Sequence, residues 1–359
     1  MIGRGYCEVL GETRAAHAIP IVPGVGNSSH TMVRPGCALI GRILFSTIYL
    51  NIQSLLSKGA SLKTWKRGAS PGYSQIWPSR GWIRLVTGFG RKTEQEDTLI
   101  VEQIWTGNAW RNFNYLIACP ETGEALAVDP LDHKKCLGKA TEMGWDITQV
   151  LNTHEHGDHT GGNQAVIAAT GARLLAHASA DIAGIDIPIA AGDVIRIGKT
   201  VEFEALDTPG HTMSHVCLLS HTDEPALFSG DTLFNAGAGN CHNGGHPEQL
   251  FDTFVTQLSL LPDNTCVYPG HDYWANNLAF TLDREPDNER ANQLLDDNGI
   301  QDPNHALVST LGLEREVNTF FRLQNPSVIR TLRESFPDLP ESPEPKAVFL
   351  KLRELRNQW

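Results

Sequence analysis

No Cys-x-x-Cys pair occurs in this chain, and its seven cysteines (Cys7, Cys37, Cys119, Cys136, Cys217, Cys241, Cys266) are scattered and odd in number. That excludes a thiol-rich zinc ribbon and the disulfide framework of a small secreted domain, and it reads as a reducing compartment. A charge-free apolar run of roughly twenty residues, which a membrane helix needs, is also missing. The longest apolar stretch, 38–56, is interrupted by Arg42 and diluted by Asn51 and Gln53. The chain start mixes polar and apolar residues where a secretory signal would place a basic region and then an apolar run. Net positive charge is lacking as well: the formal charge is -12, which gives no general attraction to nucleic acid or anionic lipid. No serine sits in a strand-turn-helix elbow; the run GNSSH at 26–30 has no such setting. Internal repeats and low-complexity tracts are absent.

What remains is 359 residues, 41% hydrophobic, enough for at least one sizeable core. Charge divides the chain. Residues 1–97 hold twelve Lys/Arg and five Asp/Glu, a formal +7; the remainder holds seventeen and thirty-six, a formal -19. The first segment is read as a basic extension, disordered or outside the native protein, with organellar targeting as the alternative to a cytoplasmic location. Periodic structure starts near Thr98. Residues 114–118, 125–130, 147–152, 173–177, 193–197, 201–206, 216–220, 226–229 and 265–268 read as strands; 134–143 and 162–170 read as helices. The alternation fits an α/β fold with two central sheets and helices outside. The expected boundaries are a domain over 98–275 and a helical domain over 276–359.

The run THEHGDHTGG at 153–162 places His154, His156, Asp158 and His159 within six residues, just after an apolar strand. Side chains two apart on a strand end share a direction, and a turn through Gly157 can bring Asp158 and His159 back beside them. Three more candidates follow other strands in glycine-rich turns: His211 in TPGHT, Asp231 in FSGDT and His271 in YPGHD. A lone histidine is more often a satisfied core or surface residue, but packing does not explain this recurrence. The resulting allocation gives one ion His154, His156 and His211, a second ion Asp158, His159 and His271, and both ions Asp231. Imidazole and carboxylate suit zinc first, with iron or manganese as alternatives. Two such ions can hold a hydroxide and polarise a carbonyl, so Asp158 and Asp231 are the expected catalytic carboxylates and no protein nucleophile is needed.

These motifs, in this order and spacing, resemble the glyoxalase II (hydroxyacylglutathione hydrolase) branch of the metallo-beta-lactamase superfamily over roughly 98–359. The resemblance implies an αββα sandwich with a C-terminal helical domain, two metals per chain, and hydrolysis of S-lactoylglutathione to D-lactate and glutathione in methylglyoxal detoxification. The run at 309–328, STLGLEREVNTFFRLQNPSV, is similar to the family's helical-domain signature. By the same resemblance Tyr273 meets the glutathione backbone, and Arg353 with Arg356 holds a glutathione carboxylate. Residues three apart do share a helix face. One element departs from the family: Asn240 and His242 stand where a lysine and a tyrosine bind the glycine end of glutathione. His242 can replace some hydrogen bonding there; Asn240 supplies no charge. The expected partner is a small-molecule glutathione thioester, without nucleic acid or membrane, on a monomer (a dimer being the alternative). The runner-up keeps the fold and changes the chemistry, to another thioester or to persulfide dioxygenation at a single iron.

Overall fold

Apolar residues alternate along the first strands in a way that commits each face to a different neighbour. In β2 (Phe113–Ala118), Phe113, Tyr115 and Ile117 face one core while Leu116 and Ala118 face another, and all are buried. A strand buried on both faces belongs inside a layered structure. The computed structural model, which describes residues 99–298 and 301–359, shows those layers. The basic segment read over 1–97 and the apolar stretch at 38–56 lie outside the described residues.

The first sheet runs in the order β1 (Ile100–Trp105), β2, β3 (Glu124–Val128), β4 (Asp146–Leu151), β5 (Arg173–His177), β6 (Ile187–Ile189). Its first three strands are antiparallel and the rest parallel. The second sheet has the order β14 (Ser309–Thr310), β13 (Cys266–Pro269), β10 (Ala226–Gly230), β9 (Val216–Ser220), β8 (Val201–Asp207), β7 (Val194–Ile197). Between the sheets pack Phe113, Tyr115, Ile117 and Leu126 from one side and Phe203, Val216, Leu218 and Phe228 from the other. Each such large apolar side chain, fully buried, contributes roughly 2–3 kcal/mol, so this layer fixes the two sheets face to face.

Helices cover both outer faces. His133–Met143 and Asn163–Thr170 pack on the first sheet through Cys136, Ala140 and Val166. On the second sheet, Leu250 and Phe254 from Pro247–Thr256, Val328 and Leu332 from Pro326–Ser335, and Val348, Phe349 and Leu352 from Pro345–Arg356 join Leu219, Leu227 and Val267 in one core. This is the expected αββα sandwich with a C-terminal helical region. Among the described residues, no helix is long and apolar enough to cross a membrane.

The helix expected over 134–143 ends at Gly144, which adopts the left-handed conformation (φ 70°) that lets the chain leave a helix without a Cβ clash. Among the elements that escaped the sequence reading are β6, β14, the short hairpin β11 (Leu233–Phe234) with β12 (Gly237–Ala238), and the helix Pro247–Thr256, opened by Pro247 at its first position. These strands, of two or three residues each, are too short for an alternation to register. The helix follows a glycine-rich loop that masks its start. The loops after β4, β8, β10 and β13 each carry candidate ligands, and these converge in space.

Candidate metal centre

β4 stops at Leu151, before the histidines begin. The strand-end argument for His154 and His156 therefore gives way to a different cause. Asp129, at the end of β3, reaches across and accepts hydrogen bonds from the Thr153 backbone N–H (2.8 Å) and its hydroxyl (2.7 Å). That caging turns the chain so that His154 enters the site by Nε2 and His156 by Nδ1, 3.0 Å apart. Residues Gly157–Thr160 then form one helical turn rather than an open turn, which brings Asp158 and His159 back to the same pocket.

All seven expected ligands meet. His211 Nε2 lies 3.0 Å from His156 Nδ1, completing a trio with His154. His159 Nε2 and His271 Nε2 are 3.2 Å apart, and Asp158 Oδ2 is 3.7 and 3.5 Å from them. Asp231 stands between the trios: Oδ2 is 3.5 Å from His211 Nε2 and 3.2 Å from His271 Nε2, and Oδ1 is 3.4 Å from His159 Nε2. His154, His159, His211, Asp231 and His271 are buried; His156 and Asp158 are half-buried.

The far nitrogen of every ring is tied to an oxygen. His154 Nδ1 meets Thr153 Oγ1 at 3.0 Å, His159 Nδ1 meets Asp129 Oδ2 at 2.9 Å, and His271 Nδ1 meets the Trp110 carbonyl at 2.6 Å. His211 Nδ1 meets the Asn240 carbonyl at 2.7 Å, and His156 Nε2 meets the Asn243 carbonyl at 3.0 Å. A ring that donates at one nitrogen presents a lone pair at the other. Five lone pairs thus face inward at contact distance, an arrangement that only a shared cation makes favourable.

The electrostatics agree. Burial pushes His154 well below the ordinary histidine value, and neighbouring His159 adds to it. Burial takes His211 down to about 4. Burial also opposes charge on His159, but Asp231 and Asp129 outweigh it and hold that ring well above the usual value. For Asp231, burial raises and the imidazoles of His271 and His159 lower, leaving the carboxyl well below the usual range. The cluster favours a positive charge next to an ionised Asp231. Its Oδ1 is buried and has no hydrogen-bond partner, which suits an oxygen that ligates. The donor set fits two divalent ions, and this is a binuclear metal site.

Several supporting residues were not singled out from sequence. Asp129 looked like the end of a strand. Asn112 donates Nδ2 to both Asp158 Oδ2 and its carbonyl, each at 3.1 Å. Glu155 accepts from Ser214 Oγ (2.6 Å) and Thr212 Oγ1 (3.2 Å), tying the first ligand loop to the second. His215 is buried against His154 and accepts the Asp231 backbone N–H at 3.1 Å. Its place in TPGHTMSH, four residues beyond a ligand, was the available signal.

The substrate-side expectations fare differently. Tyr273 stacks on His271 with rings 5.0 Å apart and 5° from parallel, and its hydroxyl donates to the Trp110 carbonyl. Arg356 is half-buried, donates to Asn277 Oδ1 and acts electrostatically on Tyr273. His242 and Asn240 are exposed on the loop that supplies carbonyls to His211 and His156. Arg353 corrects the expectation of a paired grip on a carboxylate. It is buried, and its guanidinium is taken up by the carbonyls of Ala238 (2.8 Å) and Gly239 (3.0 Å) and by Asn357 Oδ1. The two arginines share a helix face, but that face is packed at position 353.

Comparison with known proteins places these features together. The family model for the metallo-beta-lactamase superfamily matches residues 115–271, and the one for the hydroxyacylglutathione hydrolase C-terminus matches 272–359. The hydroxyacylglutathione hydrolase of Nitrosococcus oceani is 66% identical over 263 residues, covering 73% of this chain and 100% of that protein. The protein of the same name from a Polaromonas species is 68% identical over 263 residues, with the same coverage. Among solved structures, ETHE1 from Myxococcus xanthus aligns with a TM-score of 0.51 at 24% identity, covering 72% of this chain and 98% of that one, and shares the fold.

Proposed function

The chain belongs to the hydroxyacylglutathione hydrolase branch of the metallo-beta-lactamase superfamily, and we propose that it cleaves a hydroxyacylglutathione thioester, S-lactoylglutathione foremost, to the hydroxy acid and free glutathione. The single observation that carries the reading is the convergence of five oriented imidazoles with Asp158 and Asp231 on one pocket. Nitrogen and oxygen donors without a thiol suit zinc, the reading adopted here, and also iron or manganese.

When bound, two divalent ions supply a field that acidifies water and polarises a carbonyl. The protein's own groups do the rest. His154, His156 and His211 would hold one ion, Asp158, His159 and His271 the other, and Asp231 would touch both. Asn112 leaves Asp158 one fixed orientation, so its carboxylate can orient a reacting water and hold its proton. Tyr273 and Arg356 flank the His271 side of the pocket, where a polar thiol carrier would lie. Asn240 and His242 replace the lysine and tyrosine of the family pattern, so the carrier's glycine end would meet backbone and imidazole instead of a fixed charge.

The deciding measurement is thiol release from S-lactoylglutathione, other acylglutathiones and acyl-coenzyme A thioesters, with metal content determined on the same protein. Near two ions per chain and a preference for the lactoyl compound are expected. A coenzyme A preference would overturn the substrate and leave the hydrolytic chemistry. A single tightly held iron with oxygen uptake would overturn both.

A further inference from the structure

Arg353 presents an anomaly. A buried guanidinium normally faces a carboxylate, because burial of an uncompensated charge costs several kcal/mol. Here every hydrogen-bond partner is a neutral oxygen. Four of its N–H groups are committed, which leaves too few for a bidentate grip on a ligand. The two carbonyls it holds, Ala238 and Gly239, directly precede the carbonyl of Asn240 that receives His211 Nδ1.

The loop they begin is pinned at its other end too. The His246 backbone N–H donates to the Gly210 carbonyl at 2.8 Å, beside His211. Both ends run too close to the ligand loops for any side chain: a Cβ on Gly239 would sit 1.8 Å from the Asp231 carbonyl oxygen, and one on Gly245 2.2 Å from that of His211. Between these anchors the loop offers Asn240 O to His211 and Asn243 O to His156, two of the three imidazoles of one trio. Of its side chains, Asn240, His242 and Asn243 are exposed and Cys241 packs against the core under the last helix, so the backbone is what the trio uses.

We propose that Arg353 is a positioning residue for the metal centre: from the last helix it clamps residues 238–239, and so sets the carbonyls that orient His211 and His156. This rests on reading His154, His156 and His211 as ligands of one ion, and is independent of which thioester is cleaved. Loss of the clamp lets the loop relax, so the two rings lose their fixed tautomer and direction. Groups that orient metal-bound histidines are worth about 10–100-fold in metal affinity when removed.

The test uses the full chain with Arg353→Met, Arg353→Lys and Arg356→Met, zinc as the probe, and a competing chromophoric chelator to read each ion's affinity. Far-UV circular dichroism checks the fold, and kcat and KM are measured with S-lactoylglutathione. In Arg353→Met, about 10–100-fold weaker binding of one ion of the two is expected. Alongside it, kcat should fall with KM little changed, and excess zinc should restore part of kcat. Lysine has a compact ammonium with three donors at one atom where arginine has a planar fork that reaches several acceptors at once, so Arg353→Lys should show the same selective loss in smaller measure and decides the matter if the methionine variant does not fold. Arg356→Met should keep both zinc affinities. Wild-type affinity for both ions in Arg353→Lys and in any folded Arg353→Met, with a raised KM alone, would overturn the proposal and return Arg353 to substrate binding. Failure of S-lactoylglutathione as a substrate would leave the zinc readout intact.

Discussion

At the scale of single residues, Asp231 and Asp129 divide the work of one site. Asp231 lies between the trios, and Asp231→Asn removes one anionic oxygen from a cluster that already favours positive charge. The expected outcome is loss of thiol release by at least about a thousandfold, with metal content reduced below two and the circular dichroism spectrum unchanged. Asp129 never touches the pocket interior. It accepts from His159 Nδ1 and from Thr153 at two atoms. Asp129→Asn should weaken the ion at His159 about 10–100-fold, read by chelator competition, and lower the thermal midpoint, because a buried hydrogen-bond hub is lost. The seven side chains that converge were legible in sequence, since five histidines and two aspartates recur in glycine-rich turns after strands. Asp129 was not, because its role depends on β3 and β4 lying side by side, and nothing in Asp129-Pro130 itself records which loop it will face. The carbonyls of Asn240, Asn243 and Trp110 were harder still: a backbone oxygen does its work whatever side chain it carries.

At the scale of elements, the C-terminal helices reach the pocket through a short hairpin. β11 and β12 lead from Asp231 to the 238–246 loop, and Phe234 packs edge-on against His271 and Tyr273. The hairpin is held by Glu314, fully buried, which accepts from the Ala236 backbone N–H (2.8 Å), Ser309 Oγ (2.6 Å) and Asn318 Nδ2 (2.9 Å). Burial pushes its carboxyl up to about 7, against those hydrogen bonds, which pull it down. The folded protein therefore keeps this proton to a higher pH than the unfolded chain does. The associated stability is present in full below about 4.5 and is lost as pH rises to about 7, by roughly 3 kcal/mol. Denaturant midpoints over that range, compared between the native chain and Glu314→Gln, should show the native curve declining relative to the variant; parallel curves would refute the assignment. The signature around Ser309 marked this segment as belonging to the helical region, while its link to the hairpin became visible only in three dimensions, because a hairpin of two-residue strands leaves no periodic trace.

At the scale of the whole molecule, the αββα layering was legible because the strands alternate and the helices carry their own stop signals, Gly144 among them. The packing of the last helix at Arg353 was not, since residues three apart share a face whether that face meets solvent or core. The family matches span 115–359, and the Nitrosococcus and Polaromonas relatives are covered end to end by 73% of this chain. A chain beginning at Thr98 should accordingly retain full thiol release and two ions, checked by kinetics and metal analysis side by side with the full chain. The donor set also fixes the charge of the centre. Five neutral imidazoles and two carboxylates carry two negative charges, whereas two divalent ions bring four positive ones. A hydroxide held by both ions would meet one of the two surplus charges, and an anion from outside would meet the other, so the loaded centre would attract small carboxylates, among them the hydroxy acid of the proposed reaction. Inhibition by D-lactate should therefore exceed that by the neutral lactamide, and the enzyme would slow as its own product accumulates.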